Sequence, residues 1–157
     1  MQCSVVTRCC FCVCAAINLT ACGTGAELAI PVDAVRVQLE ARNATWQAAY
    51  VIASETGKTL EIPTGREVHV PLGAEVRLVL SSREYITDFT IATLGLREFA
   101  APSLPSELHF HADRIGRYDV RSDEFCGLPH QDALVRGTLV VEDPTAFVAW
   151  IHQRRRG

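Results

Sequence analysis

From residue 35 onward, apolar and polar positions alternate with a period of two. Val35, Val37 and Leu39 alternate with Arg36, Gln38 and Glu40, the pattern of a strand with one face buried. Residues 49–53 and 60–62 predict the next strands, divided by the turn Glu55-Thr56-Gly57-Lys58. Val68 and Val70 lead into a Pro71-Leu72-Gly73 turn, after which Val76, Leu78 and Leu80 resume the alternation. Phe89 with Ile91, Leu108 with Phe110 and Ala112, Tyr118 with Val120, and the run 134–141 complete the set. Short strands at this spacing, with turn residues between them, predict an all-β sandwich. Helical signals follow. Asp143 is placed as an N-cap with Pro144 at the first helical position, then come Phe147, Trp150 and Ile151, and Arg154 to Arg156 sit at the negative end of the dipole.

The N-terminal residues break this pattern. Arg8 precedes an apolar run from Cys9 to Leu19, too short to span a bilayer and of the kind found in secretory signals. The run ends in Leu19-Thr20-Ala21-Cys22, the order of a bacterial lipobox, in which small residues precede a cysteine that is acylated. Residues 1–21 are therefore expected to be a lipoprotein signal peptide, with Cys22 as the lipidated first mature residue. Residues 22–33 would form a lipid-anchored linker and 34–152 the folded domain. The alternative is an ordinary cleaved signal with Cys22 incidental. No other apolar stretch approaches transmembrane length. The expected location is the bacterial cell envelope, on the periplasmic or extracytoplasmic side and anchored to the membrane by lipid.

Cysteine usage narrows the chemistry. Of the seven cysteines, Cys3, Cys9, Cys10, Cys12 and Cys14 fall in the expected signal. With Cys22 acylated, Cys126 is the one free thiol and no intrachain disulfide can form. An exported lone thiol calls for burial or a metal. A net charge of −3 over 157 residues gives no electrostatic case for nucleic acid.

The chemistry concentrates in Ser122-Asp123-Glu124-Phe125-Cys126-Gly127-Leu128-Pro129-His130. A thiol and an imidazole four residues apart, in a Gly/Pro loop after a strand, form a candidate metal-ligand pair. The stretch resembles the binuclear copper (CuA) loop of cytochrome c oxidase subunit II, C-x-E-x-C-G-x-x-H-x-x-M. Further segments carry the same resemblance: Trp46 to Tyr50, Thr64-Gly65-Arg66-Glu67-Val68, Ser82 to Phe89 (like S-x-D-V-I-H-S-F), Leu94-Gly95 with Pro102, and Ala112-Asp113-Arg114-Ile115-Gly116-Arg117-Tyr118 (like A-D-x-P-G-x-Y). Phe147 and Trp150 match a common ending. Together they cover residues from about 35 to 151.

The resemblance implies a Greek-key β-sandwich of cupredoxin type with a short C-terminal helix. It also implies a ligand set, and half of that set is missing. The early histidine falls on Thr87, the first bridging cysteine on Ser122 and the methionine on Ala133. Cys126, His130 and the backbone carbonyl of Glu124 remain. A hydroxyl does not replace a soft bridging thiolate, so a normal binuclear centre is not expected. Asp88 neighbours the lost ligand at Thr87 and should face the other side of its strand. His69, His109 and His111 alternate with core residues and should point outward.

Three readings follow. One copper ion held by Cys126 and His130 would make the chain a membrane-anchored cupredoxin for electron transfer or copper handling in a respiratory system. A metal-free accessory subunit would dock to an oxidase or another envelope partner, as subunit II of quinol oxidases keeps the fold without CuA. A Cys126–His130 nucleophile is the third, although nothing else in the sequence supplies an oxyanion hole or an orienting partner. No enzymatic activity is expected of the chain on its own, at most an electron-transfer part in a cytochrome c oxidase-like complex. Asp123, Glu124 and Asp132 would steer a basic partner such as a cytochrome c.

Overall fold

Val35, Val37, Leu39 and Ala41 all bury their side chains, and the residues between them are exposed or half-buried. The strand expected there is the first of ten in a computed structural model that describes residues 30–43, 45–53, 59–122 and 136–156. The strands are β1 (Ala34–Arg42), β2 (Thr45–Ala53), β3 (Thr59–Gly65), β4 (Glu67–Pro71), β5 (Glu75–Ser82), β6 (Thr87–Ile91), β7 (Leu96–Ala100), β8 (Ser106–His111), β9 (Gly116–Arg121) and β10 (Arg136–Glu142). The helix α1 (Pro144–Arg156) follows β10.

Two layers result. In one, β3, β2, β1, β5 and β8 are neighbours in that order; in the other, β4, β10, β9, β6 and β7 are. The layers join where Arg136 of β10 meets Thr45 of β2. β1 runs parallel to β5, and β4 parallel to β10, so long crossovers link the layers. This is the Greek-key sandwich of a cupredoxin. Leu78, Leu80, Ile91 and Leu139 lie in the core with no exposed surface. Trp46 of β2 meets Phe89 of β6 edge to face, with ring centroids 5.5 Å apart, and so packs one layer against the other.

Three strands depart from the expectation. β2 begins at Thr45, four residues before the expected start at Ala49. β3 runs on to Gly65, whereas apolar residues mark only 60–62. β7 carries Arg97 and Glu98 and shows no clear apolar alternation; its pairing with β6 along its length, Thr87 to Ala100 through Ile91 to Leu96, makes it a strand. At α1, the Asp143 carboxylate accepts from the backbone N–H of Thr145 at 2.8 Å and from its hydroxyl at 2.6 Å, which is the expected N-cap. These bonds hold the Asp143 carboxyl below its ordinary range. Among the described residues no helix is long and apolar enough to cross a membrane.

The outer face of β4 corrects one expectation. His69 does point away from the sandwich core, yet it is only 6% exposed, because α1 covers that face. Its ring stacks on Trp150. Nδ1 lies 2.8 Å from Glu142 and Nε2 3.5 Å from Glu67. Glu67 in turn accepts from Arg117 at 2.6 Å, and this bond is the main reason its carboxyl sits below the usual range.

Candidate metal-ligand region

The end of β9 delivers Ser122 beside the start of β6. Thr90 pairs with Arg121 across these strands, and one step further Ser122 reaches Thr87 and Asp88. Of the three positions expected to have lost a ligand, the two that the structure describes are buried: Thr87 is 4% exposed and Ser122 5%. The Thr87 hydroxyl donates to Ser122 Oγ at 3.0 Å, and the Ser122 hydroxyl donates to the backbone carbonyl of Asp88 at 2.6 Å. The chain ends on a carbonyl, so both buried hydroxyl protons are satisfied inside the protein.

The Asp88 side chain turns to the opposite face of β6, as expected, but that face is not open to solvent. Its carboxylate is fully buried and lies 3.3 Å from the guanidinium of Arg97. The Thr90 hydroxyl donates to it at 3.0 Å. Phe99 stands opposite Asp88 in the β6–β7 register, and Arg97 lies 5.7 Å from the Phe99 ring centroid. A buried carboxylate needs such a cation and such a donor.

His109 and His111 do point outward from β8, with side chains 60% and 44% exposed. His109 faces Glu107 and His111 faces Asp113 along the same strand face. Neither is near Thr87 or Ser122 in the strand order. Cys126, His130, the Glu124 carbonyl, Ala133 and Cys22 lie outside the described residues. Among the described residues no three histidine, cysteine or acidic side chains are disposed to hold a metal ion.

The binuclear copper group implied by the loop pattern does not fit these residues. Where a soft thiolate would bridge stands a neutral hydroxyl that already accepts one hydrogen bond and donates another. Where an imidazole would coordinate stands the hydroxyl that donates to it. Sequence reasoning singled out Thr87 and Ser122 as expected sites of ligand loss. Their mutual hydrogen bond was beyond it, because it depends on β6 and β9 being adjacent in space.

Comparison with known proteins agrees with this architecture. A family model described as the periplasmic domain of cytochrome c oxidase subunit II matches residues 41–137. Cytochrome c oxidase subunit 2 of Cereibacter sphaeroides is 30% identical over 78 residues, 50% of this chain and 25% of that protein. The corresponding protein of Thermostichus vulcanus is 34% identical over 78 residues, 50% of this chain and 23% of that one. The match thus spans about a quarter of each relative's length. Among solved structures, subunit II of a cytochrome c oxidase in a mixed disulfide with a thioredoxin-like protein superposes with a TM-score of 0.64 at 20% identity, covering 81% of this chain and 96% of that one. The periplasmic domain of subunit II of cytochrome oxidase from Bradyrhizobium japonicum gives 0.56 at 16% identity, covering 83% and 98%.

Proposed function

Because the chain belongs to the family of cytochrome c oxidase subunit II periplasmic domains, we propose that it serves a respiratory oxidase system from the extracytoplasmic side without a binuclear copper centre. In this reading Cys126 and His130, with the Glu124 carbonyl, hold at most one copper ion and pass electrons between a cytochrome c and an oxidase subunit. A thiolate with an imidazole favours Cu(I), which tolerates few ligands, over Zn(II), which takes four. A lipid on Cys22 keeps the domain at the membrane.

The observation that carries the loss of the binuclear centre is the closed chain from Thr87 through Ser122 to the Asp88 carbonyl. The same observation favours a second reading, a metal-free docking subunit, because the hydroxyls are satisfied with no ion present. Copper content after exposure to Cu(I) separates the two. One tightly held copper that Cys126→Ser abolishes and His130→Ala weakens supports electron transfer. A colourless protein that holds no copper supports docking alone. A stable pair of coppers would overturn both. Intact-mass analysis of membrane-extracted protein tests the anchor, which fails if Cys22 is unmodified on the mature chain.

A further inference from the structure

The edge strands β7 and β8 approach each other but do not seal the sandwich along their length. At one end the Ser106 hydroxyl donates to the Phe99 carbonyl, and Ala101 bridges to Leu104. Further along, Leu96 of β7 and Phe110 of β8 both line an open groove of about 280 Å³. Ala112 and Val141, both buried, also line it. Leu94 and Tyr118, half-buried against the core, are further apolar lining.

Polar groups gather on one side. Arg114 lines the groove, as does His111 with its partner Asp113. The Tyr118 hydroxyl donates to the Arg114 carbonyl at 2.8 Å and pins the turn that carries Arg114. Gly116 makes room for this, since a Cβ there would stand 3.1 Å from the Tyr118 ring. Arg117 and Arg121, on β9, each reach a carboxylate. Arg114 makes no ion pair among the described residues.

An apolar hollow beside a cation that makes no ion pair among the described residues is the make-up of a small-molecule site, and its size lies near the lower bound of roughly 300 Å³ for such sites. We propose that this groove binds a small amphipathic carboxylate, with its apolar body between Leu96 and Phe110 and its carboxylate on the Arg114 guanidinium. Guanidinium is the side chain best shaped for a carboxylate. Asp113 is the one opposing charge in the lining, and His111 faces it. The groove lies at the end of β9 remote from Ser122, so this site stands whatever the copper content of the chain.

The test is a titration of the full chain with phenylacetate, followed by amide NMR, with neutral phenylacetamide as the control. Saturable shifts confined to residues 93–96 and 110–118 are expected for phenylacetate, with phenylacetamide binding roughly tenfold more weakly. Arg114→Gln, an exposed change that leaves the fold intact, should bring phenylacetate down to the level of the amide. Arg114→Lys should restore part of the difference. No saturable shifts, equal binding of acid and amide, or binding indifferent to Arg114→Gln would each overturn the proposal.

Discussion

The imidazole of His69 lies flat on the indole of Trp150, with ring centroids 3.9 Å apart and planes 17° from parallel. This contact fastens α1 to the outer face of β4. The guanidinium of Arg154 covers the same indole at 5.3 Å, and Tyr50 meets it edge on at 5.8 Å. Trp150→Ala should therefore cost about 2–4 kcal/mol, below the full range for a buried tryptophan because this one is half-buried. Thermal unfolding followed by circular dichroism measures the loss. Trp150→Phe should recover about half of it, and a null effect of Trp150→Ala would mean that α1 is held by Phe147 and Ile151 alone.

Tyr50 is the second fastening. Its hydroxyl accepts from the backbone N–H of His69 at 2.6 Å and donates to the carbonyl of the same residue. Among the described residues β4 pairs only with β10, so this one hydroxyl satisfies the free edge at His69. Burial pushes the phenol far above its ordinary range, which keeps it a donor. Tyr50→Phe keeps the ring but leaves two buried backbone groups unpaired, and should cost about 2–4 kcal/mol. Chemical denaturation with an unchanged m-value would confirm a loss of stability without a change of fold.

The Asp113 carboxylate beside His111 raises the imidazole above its ordinary value of 6.5. A raised histidine favours the folded state below the unfolded pKa, and that contribution fades as pH rises through the folded one. The ring is exposed, so the effect on stability is small and the titration itself is the readout. By NMR, His111 should titrate above 6.5 in the native chain and return toward that value in Asp113→Asn. A titration unmoved by Asp113→Asn would show that the pair does not persist in solution.

Restoring the ligands tests the account of the site. Thr87→His, Ser122→Cys and Ala133→Met together should give about two coppers per chain and the seven-line electron paramagnetic resonance spectrum of a mixed-valence pair. Ser122→Cys alone breaks the bond to Thr87 without supplying the imidazole and should bind less copper. A seven-line spectrum from the unaltered chain would show that a hydroxyl can stand in the bridging place.

The half-buried strands were legible because each has one wet face. Val35 to Leu39 and Val76 to Leu80 announce themselves by alternation, and the N-cap at Asp143 by residue type. β7 was not legible, since Arg97 is called to its place by the carboxylate of Asp88 on the neighbouring strand and Phe99 by register with that strand. His69 misled for a related reason: alternation reports which face a residue takes, and says nothing of a helix later laid over that face. Thr87 and Ser122 could each be singled out from the sequence as a position expected to have lost a ligand. Their joining by a hydrogen bond could not, because the two residues are 35 apart in the chain.

The placement of β10 has a consequence for how the molecule comes into being. It is the last of the described strands, yet among the described residues it is the sole ladder partner of β4, pairs along β9, and bridges to β2 at one residue pair. Until it has been synthesised, β4 lacks its ladder partner and the layers lack their backbone bridge at Arg136 and Thr45. Pairings this remote in sequence are slow to form, on the order of milliseconds to seconds. A nascent chain therefore cannot complete these pairings until residues 136–142 are available. A chain cut short before residue 136 would present the unpaired edge of β4 to other molecules and become a substrate for proteases or aggregation.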